Sequence, residues 1–187
     1  MSGTIKVAVL GVGALGQHHA RIYSELQKAG KIQFIGLYDA NPERAKEIAG
    51  HHDIQILSSA EEVLSSAEAV SIVTPTTTHF ELASQALEAG LHVLVEKPVS
   101  LQIEEVMHLK KCAEASGVNL MAGHVLLFHP AIQKIKELIE SGVIGELQYI
   151  YSNRLNLGVV RTEENVFWSL APHDIAIFQY FTESKPE

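Results

Sequence analysis

Six short apolar runs, each followed by a stretch with helical spacing, punctuate the first 122 residues: Ile5 to Leu10, Ile32 to Tyr38, Ile54 to Leu57, Ala69 to Val73, His92 to Val95 and Val118 to Met121. Runs that are apolar throughout, without alternation, suit strands covered on both faces, and strand–helix repetition implies crossover connections. The pattern therefore predicts an α/β domain with a doubly wound parallel sheet of six strands. Helix boundaries agree with it. Asn41-Pro42 reads as an N-cap followed by proline at the first helical position, Ser59 with Glu62 as a capping box, and Gly30, Gly50, Gly90 and Gly117 as stop signals.

The first run leads into Gly11-Val12-Gly13-Ala14-Leu15-Gly16, which opens a helix. In such a turn the first glycine permits the bend, the second lets the backbone approach a pyrophosphate, and the third lets helix and strand pack closely. The helix N-terminus supplies unpaired N–H groups and a partial positive charge, so an anion is favoured there. Asp39 ends the second run at the distance expected for a carboxylate that accepts hydrogen bonds from adenosine ribose hydroxyls. Together these features predict a Rossmann-type domain binding a dinucleotide through Gly11, Gly13, Ala14, Leu15, Gly16 and Asp39. Asp39 would repel a 2′-phosphate, and Ala40-Asn41 brings no Arg or Lys to neutralise one, which favours NAD over NADP. An S-adenosylmethionine methyltransferase shares a glycine turn and an acidic strand end, and the second half of the domain must separate the two.

Charge and composition exclude other classes. A net charge of −8 offers no basic surface for a nucleic-acid backbone. No apolar run approaches the roughly 20 residues needed to span a bilayer, and Met1-Ser2-Gly3-Thr4 leads into a strand without a signal-peptide pattern. Cys112 is the sole cysteine, which rules out an intrachain disulfide and a cysteine-based metal cage and fits a cytoplasmic location. Among the ten histidines, His18-His19 and His51-His52 are adjacent pairs without zinc-helix spacing, so no metal is expected.

Two further motifs fall at strand ends: Val73-Thr74-Pro75 continuing to His79, and Val95-Glu96-Lys97-Pro98. With the glycine turn, these resemble the glucose-fructose oxidoreductase, inositol dehydrogenase and rhizopine-catabolism (Gfo/Idh/MocA) family of sugar dehydrogenases, and Glu-Lys-Pro is the most specific mark. The resemblance extends through Gly123-His124, Phe128-His129-Pro130-Ala131 and Pro172-His173-Asp174. It implies that Lys97 faces the substrate carbinol as the base and also belongs to the cofactor site, that the bond to Pro98 is cis, that Glu96 lies around the nicotinamide end, and that Thr74 and His79 line the nicotinamide and ribose pocket. Loss of hydride from a C–H requires the neighbouring hydroxyl to lose its proton, which a lysine of lowered pKa can take. A methyltransferase does not need Glu96-Lys97-Pro98, and a short-chain dehydrogenase is excluded because no Tyr stands four residues before a Lys.

A linker candidate from Ala122 to His129 places a dinucleotide domain at residues 1–122 and the start of an α+β, antiparallel-sheet domain at 123–187. There, apolar residues from Ala131 to Ile139 predict an amphipathic helix behind Pro130, Gly145 to Asn156 a long strand, and Ala171 to Phe181 a helix. The resemblance makes His173 a second catalytic residue, able to shuttle the proton or bind the reacting hydroxyl. Where the family has Asp four residues earlier, this chain has Ser169. Arg154, Asn156, Arg161 and Asn165 stand in a run that looks like the branch acting at C3 of nucleotide-activated amino sugars, and arginines suit a bidentate grip on a diphosphate. Relatives continue beyond residue 187, so the chain reads as truncated, and the unpaired long strand predicts a homo-oligomer formed through it. Two readings follow: an NAD-dependent sugar or nucleotide-sugar dehydrogenase, or a non-catalytic NAD-binding protein descended from one.

Overall fold

The computed structural model describes residues 3–155 and 165–185. The chain divides between Gly123 and His124 into two compact units. The first runs β1 (Lys6–Leu10), α1 (Gly16–Lys28), β2 (Gln33–Tyr38), α2 (Pro42–His52), α3 (Ala60–Ser66), β3 (Ala69–Ile72), α4 (His79–Glu88), β4 (His92–Val95), α5 (Ile103–Ser116) and β5 (Leu120–Ala122). The strands form one parallel sheet in the order β2-β1-β3-β4-β5. The strand order reverses between β1 and β3, and open α/β sheets bind ligands beyond the C-terminal ends of the two strands at such a point.

Both faces of this sheet are buried, which explains the apolar runs. Ala8 and Leu10 join Val70, Ile72, Val93 and Val95 against Val63, Leu87 and Leu109 from α3, α4 and α5. Val9, between them, turns to the opposite core with Phe34, Leu37, Ala20 and Ile48. Fully burying each Leu, Ile or Val stabilises by roughly 1.5–3 kcal/mol, so neither face of β1 tolerates a polar residue cheaply.

The third apolar run does not become a strand. Ile54 to Leu57 makes one isolated bridge, Leu37 to Ile56, held by Leu37 N–H to Gln55 O at 3.0 Å and Leu57 N–H to Leu37 O at 2.8 Å. The helices on either side leave it too little free chain. Ile54 N–H still bonds Ala49 O of α2, and Ser59 already caps α3 by accepting from Glu62 N–H. The sheet therefore has five strands where the sequence predicts six.

The second unit contains α6 (Pro130–Glu140) and α7 (Val166–Thr182). The expected helix over Ala171 to Phe181 starts earlier, at an Asn165 cap, and carries Pro172 inside it. Residues 145–155 form no strand, contrary to expectation, and Tyr149 and Tyr151 on its apolar side are 83% and 75% exposed. A strand exists only through its ladder, and among the described residues no other segment pairs with this one. No helix among the described residues is long and apolar enough to cross a membrane.

Candidate functional site

The glycine turn is fixed by contacts that leave little choice of residue. Gly11 has φ of +85°, and a Cβ there would lie 2.8 Å from the Val73 carbonyl; a Cβ on Gly16 would lie 2.0 Å from Gly11 O. Gly13 differs, because a Cβ there would meet nothing within 4 Å. Gly13, Ala14 and Leu15 are exposed, and no side chain caps the N-terminus of α1. The turn thus presents open backbone and uncapped N–H groups, a cradle suited to a pyrophosphate.

Asp39 holds this cradle as well as facing it. Its Oδ2 accepts from Val12 N–H at 2.7 Å and its Oδ1 from Asn41 N–H at 2.8 Å. Each carboxylate oxygen keeps a second lone pair, so ribose hydroxyls remain acceptable partners. Arg44, which the sequence reading passed over, clamps the other side: Nε donates to Val12 O at 2.9 Å and Nη2 to Gly13 O at 3.3 Å. The signal was present in Asn41-Pro42-Glu43-Arg44, since a capped helix start brings its first turn back beside the preceding strand end. Arg44 also removes one support for NAD over NADP: a basic group does stand beside the turn.

At the ends of β3 and β4 the motif residues brace one another. His79 is 1% exposed, and its Nδ1 and Nε2 lie 2.8 Å from Pro98 O and Thr74 O respectively. It ties the two strand-end loops together. Thr74 accepts from Thr78 Oγ1 at 2.7 Å, and its methyl group lies against Gly11. The Lys97-Pro98 bond is cis, and Lys97 is half-buried.

Glu96 is 8% exposed. Its Oε1 lies 3.2 Å from His19 Nε2 on α1, and its Oε2 accepts from Lys97 N–H at 3.2 Å. Burial pushes this carboxyl up. The His19 ring, the Lys97 amide and the Lys97 charge outweigh burial and hold it below the usual glutamate range. Glu96 thus joins α1 to the end of β4.

In the second unit several candidates already have partners. Arg154 Nε donates to Asp174 Oδ2 at 3.0 Å, and Ser152 Oγ to Asp174 Oδ1 at 2.8 Å. Burial raises the Asp174 carboxyl, but these bonds and the charges of Arg154 and His173 bring it below the ordinary aspartate range. Asn165 Oδ1 accepts from Trp168 N–H at 3.0 Å as the cap of α7. His173 is half-buried within α7, one turn after Ser169 and therefore on the same helical face. Asn156 and Arg161 lie outside the described residues. The structure also brings Glu88, His108 and Cys112 together, with ligand atoms within 4.8 Å of one another. Their His-Cys spacing of four on α5 was legible, but three groups, two of them exposed, fall short of the four ligands of a structural metal site.

Comparison with known proteins extends this geometry. Residues 5–124 match the model of the Gfo/Idh/MocA oxidoreductase family, NAD-binding Rossmann fold. The UDP-N-acetylglucosamine 3-dehydrogenase of Acidithiobacillus ferrooxidans is 35% identical over 183 residues, covering 97% of this chain and 56% of that protein. A solved structure of that enzyme superposes with a TM-score of 0.80 at 31% identity, over 98% of this chain and 58% of the other. An inositol 2-dehydrogenase of Rhizobium meliloti is 26% identical over 98% of the chain and 56% of its own length. The chain spans about half the length of these relatives. With the glycine turn, Asp39 and the Glu96-Lys97-Pro98 strand end in place on a five-stranded parallel sheet, the chain belongs to the Gfo/Idh/MocA family of NAD-binding oxidoreductases.

Proposed function

We propose that this chain carries the cofactor site and the catalytic lysine of an NAD-dependent dehydrogenase that removes hydride from a carbinol of a sugar or nucleotide sugar. The observation that carries the reading is the open cradle at Gly13, beyond the ends of β1 and β3. NAD, once bound, supplies the hydride acceptor. The uncapped N-terminus of α1 would hold its pyrophosphate, and Asp39 its adenosine ribose. Lys97 would take the hydroxyl proton as hydride leaves the adjacent carbon. His173 would bind or shuttle that proton, and Thr74 would border the nicotinamide end.

The similarity to a UDP-N-acetylglucosamine 3-dehydrogenase supports C3 of a UDP-linked amino sugar as the reacting carbon, with Arg154, Asn156, Arg161 and Asn165 as substrate residues. Arg161→Ala should weaken nucleotide-sugar binding in calorimetry at least tenfold; unchanged affinity would remove Arg161 from the substrate set. A second copy of the chain covering residues 145–155 is the partner we propose for the exposed segment.

Ser169 favours a second reading, an NAD-binding chain without turnover, because a serine one turn before His173 cannot carry negative charge. The two readings separate on one experiment: NAD reduction with a panel of polyols and UDP-sugars, for the wild type and Lys97→Ala. The dehydrogenase reading expects turnover that falls about 10²–10⁴-fold in the variant while NAD affinity stays within about threefold. NAD binding without Lys97-dependent turnover would establish the second.

A further inference from the structure

We propose that His19 is a positioning residue for Lys97, acting through the carboxylate of Glu96. The inference rests on the reading of Lys97 as the base. Glu96 is the buried junction of three elements. From α1, His19 Nε2 lies 3.2 Å from one carboxylate oxygen, and from the end of β4 the Lys97 amide donates to the other at 3.2 Å. From the end of β5, Gly123 lies against the group so closely that a Cβ would sit 2.8 Å from Cδ and both oxygens. Gly123 is itself fixed by its N–H bond to Val95 O at 2.8 Å. The carboxylate is therefore confined to one place and one orientation.

That place sets the carboxylate against the His19 ring and on the residue next to Lys97. The His19 hydrogen bond and the charge of Lys97 both hold the Glu96 carboxyl in its ionised form. Whatever hold His19 takes on the carboxylate is withdrawn from Lys97, and a free carboxylate favours the ammonium form, which cannot act as a base. His19 also belongs to the helix whose N-terminus forms the dinucleotide cradle, three residues after Gly16. One turn on, Tyr23 of the same helix is fixed by its hydroxyl, 2.6 Å from Ser71 Oγ on β3. Helix α1 thus runs from the phosphate cradle to the residue before the lysine, and two polar tethers on one face, to Glu96 and to Ser71, fix it.

The test reads Lys97 directly, without turnover. The rate at which an amine-acetylating reagent modifies Lys97 at pH 8 is followed by the mass of its peptide, in the wild type, Glu96→Gln, His19→Leu and His19→Gln. Glu96→Gln removes the charge that favours the ammonium, so labelling should rise about threefold or more. His19→Leu releases the carboxylate to Lys97, so labelling should fall about threefold, whereas His19→Gln keeps a donor in reach and should stay near the wild type. Opposite signs are the signature, because a merely structural role loosens the site in both variants and raises both rates. Rates that move together, or that all stay within about 1.5-fold of the wild type, would overturn the proposal. If His19→Leu fails to fold, His19→Asn, too short to reach the carboxylate, takes its place. Calorimetry of NAD binding to the wild type runs alongside: failure there defeats the dinucleotide reading and leaves the labelling comparison to decide the role of His19.

Discussion

The glycine turn and the α7 region both carry candidate functional residues, but they are built in opposite ways. Around the turn, contacts within the first unit fix the backbone and leave one stretch, Gly13 to Leu15, open. Around α7 the two described side chains expected at the substrate are engaged within the protein: Arg154 with Asp174, and Asn165 with the backbone of its own helix. A cofactor cradle made of backbone is complete once the sheet forms. A substrate site made of long side chains is complete only when its ligand or further chain competes for them.

The largest effect that would test this contrast falls on Gly16. A Cβ 2.0 Å from Gly11 O cannot be absorbed by a side-chain rotation, because the clashing atom is backbone. Gly16→Ala should cost about 3 kcal/mol or more in urea unfolding, above the usual range for overpacking. A loss under about 1 kcal/mol would show that the turn is not held as described.

Gly13→Ala should divide stability from binding. Its Cβ enters open space, so unfolding free energy should stay within about 1 kcal/mol of the wild type. The same methyl group occupies the cradle, and NAD affinity by calorimetry should fall about tenfold, roughly 1.4 kcal/mol. Equal losses in both measurements would make Gly13 structural, and the contrast between the two glycines would collapse.

The same contrast governs what could be read from sequence. Strands β1 to β4, the glycine turn and the Lys97-Pro98 position were legible because each depends on neighbours close in the chain or on an apolar run buried on both faces. Ile54 to Leu57 was misread because apolar character says nothing about how much chain the flanking caps consume. Residues 145–155 failed for the converse reason: their alternation is that of a strand, but pairing is a long-range property that no local pattern supplies. The roles of Asp39, His79 and Glu96 were half legible. Their positions followed from motifs, whereas their bonds to Val12, Pro98 and His19 are made only when β-strand ends meet.

Acid should separate the wild type from Glu96→Gln. The Glu96 carboxyl sits below its ordinary value of 4.5, so the charged form stabilises the fold above that pH, and the contribution is lost as pH falls through the lowered value. At pH 6 the variant should be less stable by about 1 kcal/mol, the scale of a partly compensated hydrogen bond to a charged group. The difference should shrink steadily below pH 4.5. A gap independent of pH between 6 and 3 would mean that the carboxylate charge is not what His19 and the Lys97 amide recognise.

The smallest effect bears on the second region. If Arg154 and Asp174 are engaged mainly with each other, Arg154→Ala and Asp174→Ala should each cost little, and the double variant little more than either alone. The coupling energy in a double-mutant cycle should be about 0.5–1 kcal/mol, as expected for a partly exposed pair. Nucleotide-sugar affinity adds the decisive axis. Should Arg154 serve the substrate, Asp174→Ala frees it and affinity should hold or improve, while Arg154→Ala should weaken binding. Should the pair be purely structural, both variants should move affinity in the same direction, and the arginine that resembles a diphosphate grip would instead be a brace that fixes α7, with His173, against the extended segment before it.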